Sequence, residues 1–431
     1  MTSDRARRPV VVAGLRTPFA RSGTVFREVP AVQLARHAAR ELLYRANLDG
    51  GEVDEVIFGQ VIPSVLVPNV AREVSLLPQF PRTIPAYSVN RACASAGQAI
   101  TNAHDQILLG HADVILAGGV ESLSDIPILH SKRMSQTLVA ASKSKSLRQR
   151  LKLFAQLRPK DLIPVTPAIA EPSTGESMGQ SAEKMAKENG ISRDAQDRFA
   201  LLSHQRAAAA TADGRLTAEI APWFGGPGMD EITTSDNGIR TDTSLEALAQ
   251  LPPVFDRRYG SITAGNASPL TDGAAAVLLM GEEKARALGY RPLVAIRSYA
   301  VAAVDPGWQL LMGPAYAVPT ALDRAGIGWK DLGLLEIHEA FAAQVLSNAQ
   351  AWGSRAWAER LGRAEPLGEV DWQRANGLGG SIAIGHPFGA TGARLVTTLS
   401  NEMVRKGVQF GLISICAQGG MGLAMVLENA S

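Results

Sequence analysis

The stretch ADVILAGGVES, residues Ala112–Ser122, has a counterpart near the other end of the chain in GLISICAQGG, residues Gly411–Gly420. Both are apolar runs that end in glycines, which is typical of buried strands followed by tight turns. Two more pairs follow in the same order along the chain: VDEVIFGQ (Val53–Gln60) with DLGLLEIHEA (Asp331–Ala340), and RACASAGQAI (Arg91–Ile100) with GHPFGATGAR (Gly385–Arg394). This repeated order indicates a duplication, and we predict two similar domains with a site between them.

Strand-like and helical patterns alternate along the chain, as they do in α/β proteins that layer helices on sheets. The predicted buried strands are VVVAGL, EVIFGQV, ADVILAGGV, LGLLEIHEA and FGLISICAQGG, and the predicted helices are Val32–Arg45, Ala99–Leu109 and Asp194–Ala212.

The segment 126–270 matches neither repeat, and its helical patterns with apolar faces predict a large insertion rather than a linker. We therefore expect an α/β fold with two similar layered α/β/α halves and an insertion, or loop domain, in the first half. The predicted divisions are 1–125, completed by 271–292, for the N-terminal half, 126–270 for the insertion and 293–431 for the C-terminal half.

The composition is that of a folded globular protein, with 46% hydrophobic and 19% charged residues. The longest apolar runs, such as Ala274–Met280, are far shorter than a bilayer-spanning helix, and the N-terminus does not resemble a secretory signal. Only two cysteines are present, which excludes a disulfide-rich secreted scaffold and fits a reducing compartment. We expect a cytoplasmic protein.

Positive charge is concentrated in one segment. The chain carries 43 basic and 41 acidic residues, yet no acidic residue lies between Asp125 and Asp161. The basic residues of this basic block are Lys132, Arg133, Lys143, Lys145, Arg148, Arg150, Lys152, Arg158 and Lys160. Acidic residues predominate elsewhere, so a nucleic-acid binder is not expected. Helical spacing within the block predicts an amphipathic helix with the apolar positions Leu147, Leu151, Phe154 and Leu157.

Reactive side chains are concentrated in four stretches: NRACASAGQA, IHEAFAAQ, GGSIAIGHPFGATGAR and CAQGGMG. Cys93 precedes a helical pattern, and the dipole and free N–H groups of a helix N-terminus would stabilise its thiolate. His386 follows Gly385, which would allow a ligand to approach, and a neutral imidazole is the natural base for a thiol at pH 7. Cys416 and His338 each lie at the end of an apolar strand, where backbone N–H groups can face a concave surface.

Each of these residues has a structural alternative when it is considered alone. The cysteines could be inert core thiols, and a histidine after glycine is commonly a turn residue. A Cys–His metal site is a third alternative. No pair of ligands has the close spacing typical of a zinc site, so we expect no metal.

Together and in this order, the four stretches resemble the thiolase family over essentially the whole chain. GLRTPFARSG, TGESMGQSAE and GSITAGNASPLTDGAAAVLLM extend the resemblance, and both cysteines fall on the two reactive cysteine positions of the family. The resemblance implies a duplicated thiolase-type fold and an acyl-CoA C-acyltransferase acting on 3-ketoacyl-CoA. Coenzyme A would be a substrate, with no cofactor.

By that resemblance, Cys93 is the nucleophile that attacks the ketone carbon, and His386 is the base that accepts its proton. Cys416 protonates the departing enolate. One oxyanion site is expected at His386 and a water held by His338, and a second at the backbone N–H groups of Cys93 and Gln418.

The resemblance also implies substrate contacts and reveals two departures. Met178 and Met312 fall where the family lines its acyl pocket, with a role as core fillers equally open, and Ser268 falls where it contacts the pantetheine arm. Many members have Asn at the position of His338 and Gly at that of Gln418, which puts the pH profile in doubt but not the reaction type.

HEAFAAQ, the basic block and SLRQRLKLFAQLRPKDLIP resemble one branch, the thiolase β subunit of trifunctional fatty-acid β-oxidation complexes. This implies a 3-ketoacyl-CoA thiolase for medium and long chains, as a homodimer or tetramer. It further implies a hetero-oligomer with an α subunit that has hydratase and 3-hydroxyacyl-CoA dehydrogenase activities, or peripheral membrane contact through the basic block. A third alternative is that the basic block attracts the phosphates of CoA.

Three other functions stay open on the sequence. The first is a short-chain acetyl-CoA C-acetyltransferase that works in the condensing direction. A decarboxylating ketoacyl synthase shares the duplicated fold, but it uses one Cys and two His, and CAQGGMG argues against it. A non-catalytic CoA-binding relative is the third, against which Cys93, His386 and Cys416 argue together.

Overall fold

The computed structural model describes residues 7–165, 170–225 and 229–431. The first part of the chain forms β1 (Pro9–Arg16), β2 (Ala20–Arg21), α1 (Ala31–Ala46), β3 (Glu55–Gly59), α2 (Val70–Ser75), β4 (Ala86–Val89), α3 (Ser95–Leu109) and β5 (Val114–Glu121). The middle segment forms α4 (Lys132–Lys143), α5 (Leu147–Phe154), α6 (Met178–Glu188), α7 (Arg193–Ala212), α8 (Arg215–Ala218), β6 (Trp223–Gly225), β7 (Glu231–Thr233) and α9 (Leu245–Ala249). The last part forms β8 (Thr271–Gly281), α10 (Glu282–Ala287), β9 (Val294–Ala303), α11 (Gly313–Ala325), β10 (Leu332–Ile337), α12 (Ala342–Gly353), α13 (Arg355–Arg360), α14 (Ser381–Ile384), α15 (Thr391–Lys406), β11 (Phe410–Ala417) and β12 (Met421–Asn429).

The strands of both halves join in one sheet with the order β10-β11-β12-β9-β1-β8-β5-β3-β4. In the first half, β1 and β5 pair antiparallel with β8, and β3 pairs parallel with β5 and β4. The second half repeats this pattern, because β9 and β11 pair antiparallel with β12, and β10 pairs parallel with β11. A parallel bridge from Leu335 to Ala375 takes the place of β4. The predicted duplication and its matched pairs of stretches are confirmed.

Alternate residues of each strand pack in different cores, since strand side chains point to opposite faces. In β5, Val114 and Leu116 pack in a core on the side of α1, whereas Ile115 packs in a central core. In β12, Met425 packs in that same central core and Val426 in a third core with residues of α11 and α12. The central core contains α3 and α15, so the two halves share one layer of helices.

The helices α3 and α15 approach closely within this shared layer. A Cβ atom added to Gly392 would lie 2.4 Å from the backbone nitrogen of Gly97, so only glycine fits there. Helix α3 begins shortly after Cys93, and α15 begins shortly after His386. The layer therefore places two stretches that are distant in sequence side by side.

The middle segment divides into a peripheral part and a part that packs on the halves. Helix α7 packs on the second half, where Ser203 donates a hydrogen bond to Glu339 Oε2 at 2.7 Å. In α5, Leu147 and Leu151 are 72% and 62% exposed, and every basic residue of the basic block is exposed. The predicted amphipathic helix forms, but it ends at Phe154 before Leu157, and its apolar positions lie at the surface.

The predicted strands and helices named above all occur, with ends that differ by a few residues. Among the helices in the described ranges, none is long and apolar enough to cross a membrane.

Candidate active site

A cavity of about 500 Å³ lies where the two halves meet. Cys93 from the loop before α3, His386 from the loop before α15 and Cys416 at the end of β11 all line it. The remaining wall is mostly apolar and includes Val61, Met178, Phe255, Ser268, Leu270, Leu311, Phe341 and Phe388. Three stretches singled out in the sequence thus converge on one cavity.

The turn that carries Cys93 directs donors at its sulfur. Ala92 has a φ of 46°, which is uncommon for a residue other than glycine, and its N–H donates to Asn90 Oδ1 at 3.0 Å. The backbone N–H groups of Cys93 and Gln418 both point at the Cys93 sulfur. Burial nevertheless raises the pKa of Cys93 to about 12, and the Glu121 carboxyl adds to this effect. The expected thiolate at the helix N-terminus is therefore wrong for the resting site, because desolvation outweighs the donors.

His386 is a neutral imidazole with fixed orientation. Its Nδ1 lies 2.6 Å from Thr391 Oγ1, and its backbone N–H donates to Thr271 Oγ1 at 3.0 Å. Burial, with the charge of Arg394, lowers the pKa of His386 to about 3. Gly385 has a φ of 111°, and a Cβ atom there would lie 2.7 Å from Thr271 Cγ2. The glycine thus permits close contact with β8, and its expected role in the approach of a ligand stays a prediction.

His338 lies behind His386, away from the cavity wall. The Nε2 atoms of the two rings are 3.2 Å apart, and His338 Nδ1 lies 3.0 Å from Ser381 Oγ. Burial and the neighbouring His386 lower the pKa of His338 well below its usual range. An effect of His338 on a ligand therefore passes through His386 or a bridging water.

Cys416 is a protonated thiol on the cavity wall. It is 1% exposed, and burial together with the nearby Cys93 raises its pKa well above the usual range. Such a group can donate a proton but does not ionise by itself at neutral pH.

The loop after Cys416 places Gln418 in two contacts. Gly419 and Gly420 have φ values of 86° and 72°, so the chain turns sharply here. The Gln418 N–H faces Cys93, as described above, and the side-chain Nε2 donates to the carbonyl oxygen of Ala170 at 2.7 Å. No pattern in the sequence predicts this second contact.

The three predicted substrate-binding residues differ in position. Met178 and Ser268 line the cavity, whereas Met312 is 2% exposed and packs in the core beside Cys416. Its neighbour Leu311 lines the cavity instead. The burial of Met312 favours a role as a core filler over a role in lining the acyl pocket.

A second cavity, of about 490 Å³, adjoins the first, and Arg21, Arg240 and His204 lie in its wall. Burial and Arg240 lower the pKa of Arg21, and burial with both arginines lowers that of His204 to about 4. Among the described residues, none accepts a hydrogen bond from the buried Nε of Arg21. Neighbouring cations repel each other, so an anion here would be stabilised. The two cavities share Phe255, Ala267 and Ser268.

The cavity also brings together three groups that could hold a metal ion. The sulfur of Cys93 and ring nitrogens of His338 and His386 lie within 4.8 Å of one another. Thiolate and neutral imidazole are ligands that Zn²⁺ prefers. The sequence spacing that argued against a metal is therefore not decisive, because the ligands come from three separate elements.

Comparison with known proteins places these residues in a family. Residues 9–283 match the family model for the thiolase N-terminal domain, and residues 290–429 match that for the thiolase C-terminal domain. The chain is 50% identical over 422 residues to proteins named 3-ketoacyl-CoA thiolase from Yersinia pestis and Yersinia pseudotuberculosis, covering 98% of this chain and 97% of each relative.

Solved structures give the same result. The acetyl-CoA acetyltransferase of Bacillus anthracis matches with a TM-score of 0.83 and 33% identity, covering 99% of this chain and 100% of that one. Human mitochondrial 3-ketoacyl-CoA thiolase in complex with CoA matches with a TM-score of 0.82 and 31% identity, covering 99% of each chain.

Proposed function

This chain belongs to the thiolase family and is an acyltransferase, and from that premise we propose that it is a 3-ketoacyl-CoA thiolase of fatty-acid β-oxidation. It cleaves a 3-ketoacyl-CoA with CoA into acetyl-CoA and a shortened acyl-CoA. The observation that best supports this is the convergence of Cys93, His386 and Cys416 on one cavity, with two N–H groups aimed at the Cys93 sulfur.

Acylation begins when His386 Nε2 takes the Cys93 thiol proton and the sulfur attacks the ketone carbon. The bond between the α carbon and this carbon then breaks, which leaves an acyl thioester on Cys93 and the enolate of acetyl-CoA. Cys416 donates its proton to the α carbon of the enolate, and the proton on His386 restores the Cys416 thiol. The depressed pKa of His386 and the raised pKa of Cys93 make transfer of the Cys93 proton to His386 costly in the free site. This proton therefore moves as the Cys93 sulfur attacks the ketone carbon.

Deacylation uses the same groups with CoA as the nucleophile. His386 accepts the CoA thiol proton, the CoA sulfur attacks the thioester, and Cys93 leaves and regains the proton. The negative oxygen on the acyl carbon is stabilised by the N–H groups of Cys93 and Gln418, which are fixed before the reaction starts. The enolate oxygen is stabilised at His386, with His338 behind it. Coenzyme A is a substrate, and these steps need no cofactor or metal.

The two adjoining cavities suit the two ends of the substrate. The Arg21 and Arg240 side chains of the second cavity are placed to bind the CoA phosphates, and Ser268 in the shared wall meets the pantetheine arm. Met178 and the apolar residues of the first cavity line the space for the acyl chain.

Loss of absorbance of a 3-ketoacyl-CoA–Mg²⁺ enolate on addition of enzyme and CoA tests this function directly. A series of acyl lengths separates it from the runner-up, a short-chain acetyl-CoA C-acetyltransferase, the activity named for the Bacillus anthracis structure. Higher kcat/KM on medium and long chains is expected. A preference for acetoacetyl-CoA alone would favour the runner-up.

We further propose that the insertion 126–270 is a loop domain whose exposed basic block binds a partner. Exposed Leu147 and Leu151 beside exposed Arg148, Arg150 and Lys152 form an apolar and cationic surface. Such a surface suits a peripheral contact with an anionic membrane or docking of a hydratase/3-hydroxyacyl-CoA dehydrogenase α subunit. The thiolase itself is proposed to be a cytoplasmic homodimer or tetramer. Light scattering of the purified protein would measure its oligomeric state.

A further inference from the structure

A series of buried hydrogen bonds runs from the ion pair of Glu336 and Arg394 to the two active-site histidines. Arg394 Nη1 donates to Glu336 Oε2 at 3.3 Å, and its Nη2 donates to Ser381 Oγ at 3.1 Å. Ser381 Oγ lies 3.0 Å from His338 Nδ1, and His338 Nε2 lies 3.2 Å from His386 Nε2. All five side chains are buried.

The direction of these bonds follows from the number of available protons, beginning at Thr391. Its hydroxyl can donate to the carbonyl oxygen of Pro387 at 3.1 Å and accept from His386 Nδ1 at 2.6 Å. The proposed role of His386 Nε2 as the base requires that nitrogen to be bare, which assigns the ring proton to Nδ1 and makes Nδ1 the donor to Thr391. Because burial lowers the pKa of His386 to about 3, the ring holds only this proton and its Nε2 is bare.

A bare Nε2 on His386 can only accept, so the contact between the rings requires a proton on His338 Nε2. Burial also keeps His338 neutral, and its Nδ1 must then be bare and accept a hydrogen bond. Ser381 can supply that bond. Arg394 can only donate, so it occupies a lone pair of the Ser381 oxygen and leaves the hydroxyl proton for His338 Nδ1.

We infer that Ser381, held by Arg394, is a positioning residue that fixes His338 as the Nε2–H tautomer and so provides an N–H donor for the enolate oxyanion. The inference rests on the proposed function. Once His386 Nε2 carries the proton from Cys93, it can no longer accept from His338. The His338 N–H is then available to a water that bridges it to the oxyanion. Without the serine hydroxyl, both tautomers of His338 would be populated and the donor would be lost from part of the molecules.

Ser381→Ala tests this with two half-reactions. Exchange of the acetyl-CoA α protons with solvent deuterium passes through the enolate. We expect the exchange rate to fall about 10- to 100-fold, which does not exceed the rate loss caused by removing an oxyanion donor completely. Acylation of Cys93 by an acyl-CoA relies on the other oxyanion site and should change by less than about threefold. Ser381→Thr retains the hydroxyl and should recover most of the exchange. Ser400→Ala is the matched control, because Ser400 is buried in α15 with no hydrogen-bond partner among the described residues.

A direct measurement of the tautomer distinguishes orientation from a general structural effect. The chain has seven histidines, so ¹⁵N spectra of histidine-labelled protein are simple enough to assign. His338 should show a protonated Nε2 and a bare Nδ1 in the wild type, and a mixture in Ser381→Ala. Unchanged exchange and tautomer, or equal losses in both half-reactions, would overturn the inference. Failure of the wild type to cleave any 3-ketoacyl-CoA would count against the proposed function instead, while the tautomer could still be measured.

Discussion

The side-chain amide of Gln418 donates a hydrogen bond of 2.7 Å to the carbonyl oxygen of Ala170. Gln418 also presents its backbone N–H to Cys93, so one residue contacts both the Cys93 sulfur and Ala170, which follows the basic block within the middle segment. The position of this proposed oxyanion donor is thereby linked to the middle segment. Family members with glycine at this position lack such a side chain, and the link is a property of this chain's own sequence.

Gln418→Ala separates the two contacts of this residue. The backbone N–H remains, and a neutral hydrogen bond is worth about 1 kcal/mol, so we expect acylation of Cys93 to slow by no more than about tenfold. Stopped-flow acylation at saturating acyl-CoA measures this rate. Gln409→Ala, a substitution at the opposite end of β11, serves as control. A loss above a thousandfold would mean that the side chain itself takes part in the chemistry.

The separate roles of the two cysteines predict different trapped states. Brief exposure to an acyl-CoA should place a thioester on the peptide containing Cys93, and Cys93→Ala should abolish turnover without unfolding the protein. Cys416→Ser should still accept the acyl group but lose about 10²- to 10⁴-fold in α-proton exchange, the usual contribution of one positioned acid or base. Mass spectrometry locates the thioester. An adduct found solely on Cys416 would reverse the assignment.

The pKa of Cys93 predicts slow alkylation in the free enzyme. A thiol with a pKa of about 12 stays neutral through the physiological range, and its thiolate fraction grows tenfold with each pH unit. In a Cys416→Ser background, the rate with iodoacetamide should therefore rise up to pH 10 without a plateau. In the urea-unfolded protein the rate should be half-maximal near pH 8.5, the pKa of an ordinary thiol, and level off above it. A plateau below pH 7 in the folded enzyme would instead indicate a thiolate–imidazolium pair.

The cavity that contains Arg21 and Arg240 predicts selective loss of CoA binding. Arg240→Gln removes a charge that would contact phosphate, and hydrogen bonds to charged groups contribute about 1.5–3 kcal/mol. We expect the KM for CoA to rise roughly 10- to 100-fold at unchanged kcat. An N-acetylcysteamine thioester lacks the phosphates and should react equally well with both enzymes. Arg198→Gln, at an exposed ion pair on α7, is the control.

Charge reversal in the basic block tests its role. We expect the triple change Arg148→Glu, Arg150→Glu and Lys152→Glu to abolish binding to anionic vesicles or to the α subunit. Activity on a short soluble substrate should survive, since these exposed residues do not line either cavity. Unchanged vesicle and partner binding with a sharply raised KM for CoA would assign the block to substrate capture.

The sequence allowed prediction of the features that depend on local pattern. The predicted strand in β5 and its counterpart in β11 follow from apolar runs, and the duplication follows from their matched order. Cys93, His386 and Cys416 stand in short motifs whose combination and order along the chain can be recognised in the sequence.

Features that depend on which side chains meet in the folded chain could not be predicted in this way. Ser381 acquires its role only because Arg394 lies on one side of it and His338 on the other. Arg21 from the first part of the chain and Arg240 from the middle segment meet in the wall of one cavity. Met312 and Leu311 differ by one position in a short helical turn, and the orientation of that turn decides which residue reaches the cavity.

The place of β8 in the sheet sets the order in which the protein can mature on the ribosome. Strand β8 lies between β1 and β5, although the whole insertion is translated before it. Until Gly281 has emerged, β1 and β5 each present an unpaired edge, and α3 lacks its neighbour α15, which is made later still. Exposed strand edges invite aggregation of unfinished chains. The sheet of the half that carries Cys93 therefore cannot close until β8 has been translated, and its unpaired edges stay open to other chains for as long as the middle segment is being made.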